Sequence, residues 1–289
     1  MTRRGPAPKP LPEAWAVLLD SYVAAEAGAG RSRATIETRR AHLANLARGL
    51  RVEPGRVDQE RLLAWMGRQT WSTETRRGYR NSATSFFGWA HRAGHIAADP
   101  AAGLPIMRAA RPSPRPAPDA AWQTALAAAD PRVRLMLRLA AEAGLRRAEI
   151  ARVHTGDLTV AAGGAQLRVR GKGNKLRTVP ISDDLAVLIA AGAAGHSPEM
   201  AAYGTGWLFP GEDGGHLSPR WAGRLIAAAL PDHWTAHTLR HRFATRAYRG
   251  SRNLRAVQTL LGHSSVATTE RYTAVDDDEI RAAMLAAIG

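Results

Sequence analysis

Seven side chains able to bind anions or move protons follow one another along this chain: Arg146 and Glu149, Lys172, His237 and Arg240, His263, then Tyr272. His237 and Arg240 stand three apart just after Thr235, a residue type that caps helices. That spacing puts both on one face near a helix N-terminus, where the helix dipole favours a phosphate. Arg146 and Arg240 carry a permanent charge and can grip two oxygens at once. Lysine is scarce: of 40 basic residues only Lys9, Lys172 and Lys175 are lysine, and two of them share the segment Gly171-Lys-Gly-Asn-Lys-Leu176. Lysine gives up a proton once its pKa is lowered, whereas arginine does not near neutral pH. These types permit charge neutralisation and proton transfer at an anion.

Other chemistries lack their residues. The chain has no cysteine, which excludes disulfides, a thiol nucleophile and Cys-ligated zinc or iron–sulfur sites. No Gly-x-Gly-x-x-Gly, Walker A or Gly-x-Ser-x-Gly sequence occurs. His237 and His241 are four apart, but the intervening Thr-Leu-Arg lacks the glutamate of a His-Glu-x-x-His zinc site; His241 reads as structural. Asp276-Asp277-Asp278-Glu279 reads as an acidic helix start rather than a metal cluster. The expectation is no metal and no cofactor.

The elements that must carry these residues follow from pattern. Before residue 105 the chain reads as helices over Leu11–Gly28, from Ser32 to about Gly49, about Asp58–Gln69, and from Ser72 to Gly94, with no strand pattern. Alternating prolines over 108–118 make a semi-stiff linker. Helices over Asp119–Ala129, Pro131–Ala143 and Arg147–Val153 follow. Three short strands, Asp157–Val160, Gln166–Arg170 and Leu176–Val179, form a small meander through turns at Gly163-Gly164 and Gly171–Lys175. Further helices are expected over Asp183–Ala191, Ser218–Leu230, Thr235–Tyr248, Asn253–Leu261 and about Asp276–Ile288. The fold class is mainly α with a small antiparallel sheet. Its parts are a basic extension (1–10), a helical domain (11–107), the linker (108–118) and an α+β domain (119–289).

Charge points to the partner. The 289 residues carry a formal +15. Residues 1–118 hold 19 basic and 9 acidic side chains, and residues 119–289 hold 21 and 16. Two basic halves fit a polyanion held between two bodies, and nucleic acid is the expected ligand. The longest weakly polar stretch, Leu185 to Gly195, is too short to span a bilayer. Met1–Pro10 has no signal-peptide pattern. The expected location is cytoplasmic and nucleoid-associated.

Four stretches together resemble one family: Ala143-Gly-Leu-Arg-Arg-Ala-Glu149-Ile, Gly171-Lys-Gly-Asn-Lys-Leu-Arg-Thr-Val-Pro180, Ala236-His-Thr-Leu-Arg-His-Arg-Phe-Ala-Thr245 and Leu261-Gly-His-Ser-Ser-Val-Ala-Thr-Thr-Glu-Arg-Tyr-Thr273. The chain resembles the tyrosine recombinases, the phage integrase, Xer and Cre superfamily. Upstream, Thr73–Tyr79, Ser85–Ala90 and Gly94–Pro100 are similar to the end of that family's core-binding domain. The resemblance implies a two-domain clamp around duplex DNA, of the simple type without an arm-binding domain.

It also implies roles. Tyr272 attacks a phosphodiester, giving a 3′-phosphotyrosyl link and a free 5′-hydroxyl. Arg146, Arg240, His237 and His263 hold the crowded phosphate, Lys172 is general acid to the leaving oxygen, and Glu149 supports Arg146 or His237. The expected DNA contacts are Arg39, Arg76, Arg77, Arg80, Arg111, Arg115, Lys175 and Arg242. The implied partners are a duplex with a specific core site, a tetramer on two sites and an optional directionality factor. Ile280, Met284 and Ile288 form an apolar stripe suited to docking the last helix into a neighbouring protomer. Two rivals stay open at this stage, a type IB topoisomerase and a DNA-binding architectural protein without turnover.

Overall fold

A computed structural model describes residues 10–107, 115–203 and 205–262. The chain forms two units, Met1–Arg111 and Pro112–Gly289. The expected tail helix, His263, Tyr272 and Arg111 lie outside the described residues.

The first unit is built from α1 (Glu13–Gly28), α2 (Arg33–Leu50), α3 (Gln59–Gly67) and α4 (Thr73–Arg92). Three of them start where a side chain satisfies an orphan amide: Ser32, Asp58 and Ser72 accept from the backbone N–H of Thr35, Arg61 and Thr75. α1 begins two residues later than the pattern suggests. Pro12 is its cap, with extended backbone, and a proline holds the residue before it out of the helical region. Trp15, Leu19, Tyr22, Leu43, Leu46, Leu62, Phe86 and Phe87 make the core. Trp15 stacks on Phe86 at 5.6 Å and its indole N–H donates to the Val52 carbonyl at 2.7 Å, so the polar edge of the ring is satisfied while its faces are buried.

The second unit contains α5 (Asp119–Ala128), α6 (Pro131–Ala141), α7 (Arg147–Ile150), the strands β1 (Leu158–Ala161), β2 (Gly164–Arg170) and β3 (Leu176–Pro180), and then α8 (Asp183–Ala190), α9 (Pro219–Ala229), α10 (Ala236–Ser251) and α11 (Leu254–Leu261). α6 buries Val133, Leu135, Met136, Leu137 and Leu139 and keeps Arg134 and Arg138, four apart, on its outer side. The sheet is an antiparallel meander in the order β1-β2-β3, with Leu167 opposite both Leu158 and Val179. Leu167, Val169 and Val179 face the core, while Arg168 and Arg170 point away, the period-two pattern of a half-buried strand.

One local reading is corrected. α7 ends at Ile150 rather than Val153, because the Val153 carbonyl accepts from Leu208 N at 2.9 Å and His154 bridges to Trp207. The segment after α8 contains 3-10 turns over Ala193–Gly195 and Pro198–Tyr203. No described helix is long and apolar enough to cross a membrane.

Candidate active site

The site is assembled by the junctions that end α6, begin α7 and run through α10. α6 stops before Gly144, whose φ of +65° suits glycine. That turn lets Leu145 N reach the Leu139 carbonyl at 3.1 Å and delivers Arg146 as the N-cap of α7. A Cβ at Gly144 would stand 2.4 Å from the ring of Phe243 on α10. The approach of the α6–α7 turn to α10 therefore depends on a bare Cα.

Glu149, 5% exposed, is the hub of this region. Its carboxylate accepts from Arg146 N at 2.8 Å and Arg146 Nη1 at 2.9 Å. It also receives a two-pronged grip from Arg177 Nη1 and Nη2, each at 2.8 Å. Arg240 Nη1 lies 3.6 Å away. Arg240 is itself almost fully buried, at 1%. It donates to the Gly144 carbonyl through Nη1 and to the Leu261 carbonyl through Nη2 at 2.6 Å. Arg146 Nη1 reaches the same Leu261 oxygen at 3.4 Å. Arg146, Glu149 and Arg240, chosen from sequence as one set, are thus brought together at the end of α11, where the chain runs on toward His263 and Tyr272.

His237 and His241 share the face of α10 beside this cluster, with their Nε2 atoms 2.9 Å apart and the rings edge to face. Sequence reading kept His241 apart from His237; the fourfold helical spacing joins them. The Gly171–Lys175 turn places the Lys172 backbone in a 3-10 turn over Lys172–Asn174, closed by Gly171 N donating to the Lys175 carbonyl at 2.8 Å.

Three groups tie stability to acid. Burial would raise the Glu149 carboxyl, but hydrogen bonds and charge from Arg177, the Arg146 amide and the Arg240 charge overcome it and hold the pKa at about 2, against an ordinary 4.5. Burial, then the charges of His237 and Arg240, push His241 from 6.5 down to about 4. Burial, Arg240 and Arg146 also lower His237. In each case the unfolded chain takes up the proton first. Stability is full above the unfolded value and is lost as pH falls, across 6.5 to about 4 for His241 and 4.5 to about 2 for Glu149. For Glu149 this corresponds to on the order of 3 kcal/mol. The thermal midpoint should therefore drop in two stages on acidification, and His241→Gln should shrink the first. A midpoint that is level from neutral pH to pH 4 would contradict this.

The arginines expected on DNA have mixed settings. Arg39 is held by Glu26, by Ser85 at 2.9 Å and by the Tyr22 hydroxyl. Arg76 donates to the carbonyls of Met66 and Gln69, and Arg80 to those of Leu104 and Pro105. Arg242 pairs with Asp119 at 2.7 Å and lies over the Trp122 ring. Each of these four is engaged by the protein's own groups. Arg77 pairs with Glu74 on the surface of α4, Arg115 lies over Trp234, and Lys175 is exposed. Arg177 was not singled out from sequence, although it stands in one of the four stretches that carry the resemblance. Among the described residues no three His, Asp or Glu side chains are grouped to hold a metal ion.

The fold is similar to that of solved DNA recombinases. The XerH site-specific recombinase bound to difH superposes with a TM-score of 0.68 at 19% identity, covering 93% of this chain and 83% of that one. A lambda integrase dimer bound to a core site gives 0.65 at 19%, covering 89% and 76%. In sequence, residues 120–279 match the phage integrase family. Tyrosine recombinase XerC of Rhodospirillum centenum is 37% identical over 78% of this chain and 70% of its own length. The XerC of Mycobacterium sp. strain KMS is 34% identical over 91% and 94%. The chain belongs to the phage integrase family and is a tyrosine recombinase.

Proposed function

We propose that this recombinase cuts and rejoins DNA at a specific site through a phosphotyrosine on Tyr272, without metal or nucleotide. The Tyr272 hydroxyl gives up its proton to water and its oxygen bonds to phosphorus as the bond to the 5′-oxygen breaks, and Lys172 gives the departing oxygen its proton. The 3′-phosphotyrosyl link keeps the energy of the broken bond, so a 5′-hydroxyl from another strand reverses the step without ATP. Arg146 and Arg240 neutralise the charge that builds on the phosphate, with His237 and His263 donating to its non-bridging oxygens. Glu149 supports the two arginines.

The observation that carries this reading is the convergence of Arg146 and Arg240 on one carbonyl oxygen, that of Leu261, above the shared Glu149 carboxylate. What supports the reading is the nearness of two permanently charged guanidinium groups, close enough to reach one oxygen atom and so to share a single anion. We further propose that the enzyme acts as a tetramer on two DNA sites, with the stripe of Ile280, Met284 and Ile288 docking into a neighbouring protomer and a directionality factor able to bias the outcome.

The test uses a duplex selected by binding from a randomised library and nicked near its centre. A protein–DNA band stable in SDS, with the modified peptide containing Tyr272, is the expected product. No adduct, or an adduct elsewhere in the chain, would overturn the assignment. Binding should also weaken steeply with salt, because each phosphate neutralised releases counterions and log K falls linearly with log salt. An affinity indifferent to salt would argue against phosphate-dominated binding.

A further inference from the structure

We infer that Arg177 is a positioning residue for strand cleavage, holding the carboxylate beneath Arg146 and the last turn of α11 in one fixed register. This rests on the catalytic reading above. The Arg177 side chain is only 10% exposed, and all three of its nitrogens are spent inside the protein. Nη1 and Nη2 bind the two oxygens of Glu149, and Nε donates to the Leu260 carbonyl at 2.9 Å. Three of its five N–H donors are thus engaged inside the protein, on a side chain that is nearly buried.

What it holds is the framework of the site. Glu149 binds both the backbone and the side chain of Arg146 and lies 3.6 Å from Arg240. Leu260 and Leu261 are consecutive carbonyls at the C-terminus of α11, the negative end of its dipole. Three arginines take them: Arg177 the first, Arg240 and Arg146 the second. Next comes Gly262, whose φ is +62° and whose Cβ, if present, would meet Arg177 Cδ at 2.8 Å. The segment bearing His263 and Tyr272 leaves from this point. On its other side Arg177 belongs to β3, directly after the Lys172 turn. One planar fork thus links the strand after the proposed acid, the support of the proposed cations and the root of the nucleophile's segment. A lysine here would keep the charge but lose the fork, since its single ammonium cannot match the bidentate geometry.

The experiment measures single-turnover cleavage at saturating DNA, and Kd, on the same nicked duplex for wild type, Arg177→Lys and Arg177→Met. Misplacing reacting groups by about 1 Å costs on the order of 10²-fold in rate, so Arg177→Lys should lose about that much cleavage while its Kd and thermal midpoint stay near wild type. A wild-type cleavage rate in folded Arg177→Lys would overturn the inference. So would a loss confined to Kd, which would make Arg177 a phosphate contact. Should Arg177→Met fail to fold with Glu149 left under-paired, Arg177→Met/Glu149→Gln removes both charges; wild-type cleavage by that pair would also overturn it, and slow cleavage with intact binding would support it. Absence of adduct from the wild-type protein would instead sink the reading of Tyr272.

Discussion

Tyr272→Phe should bind the nicked duplex as tightly as wild type and form no covalent product at all. The substitution removes one oxygen. Phosphate contacts made by arginine and histidine are untouched, so affinity and its salt dependence persist. The chemistry does not persist, because the phenyl ring has no atom that can bond to phosphorus, and no other group of the proposed site is placed in that role. The loss is therefore total rather than graded, unlike the removal of one stabilising donor, which leaves a residual rate. An SDS-stable band from Tyr272→Phe would reassign the nucleophile.

The next largest effect is expected at Lys172. General acid catalysis contributes roughly 10²–10⁴-fold, and Lys172→Arg should lose cleavage within that range while keeping its charge and its affinity for DNA. Arginine retains the electrostatic part of the contact but not the proton, since guanidinium does not deprotonate near neutral pH. A substrate with sulfur in place of the leaving 5′-oxygen separates the two functions. A thiolate departs without being protonated, so Lys172→Arg should recover most of its rate on that substrate. Full activity of Lys172→Arg on the ordinary phosphodiester, or no recovery on the sulfur substrate, would remove the proton from the account of Lys172.

Local signals made much of the fold legible. Ser32, Asp58 and Ser72 marked helix starts because a cap acts within three residues, and alternation over 166–170 marked a strand, which the structure extends back to Gly164, because one face is buried. The miss at Val153 has a non-local cause, since its carbonyl is claimed by Leu208, far along the chain. The same distinction holds in the site. Arg146 and Glu149, or His237 and Arg240, are neighbours on helices and could be paired on paper. Arg177 is one of 37 arginines, and its partners Glu149 and Leu260 are 28 and 83 residues away. Nothing in its immediate surroundings distinguishes it. Arg39, Arg76, Arg80 and Arg242 make the same point: their partners within the protein, Glu26, the carbonyls of Met66 and Leu104, and Asp119, are set by the fold and not by adjacent sequence.

The bare Cα of Gly144 has a consequence for the precision of this enzyme. Its carbonyl receives Arg240, its neighbour in sequence begins at Leu145 and leads into Arg146, and its missing methyl admits the Phe243 ring. The backbone there sets where the chain leaves for Arg146 and supplies one acceptor to Arg240, while the guanidinium groups themselves are held by the acceptors they share, Glu149 and the Leu261 carbonyl. A methyl at this one position would push the turn off the Phe243 ring and disturb both anchorages at once.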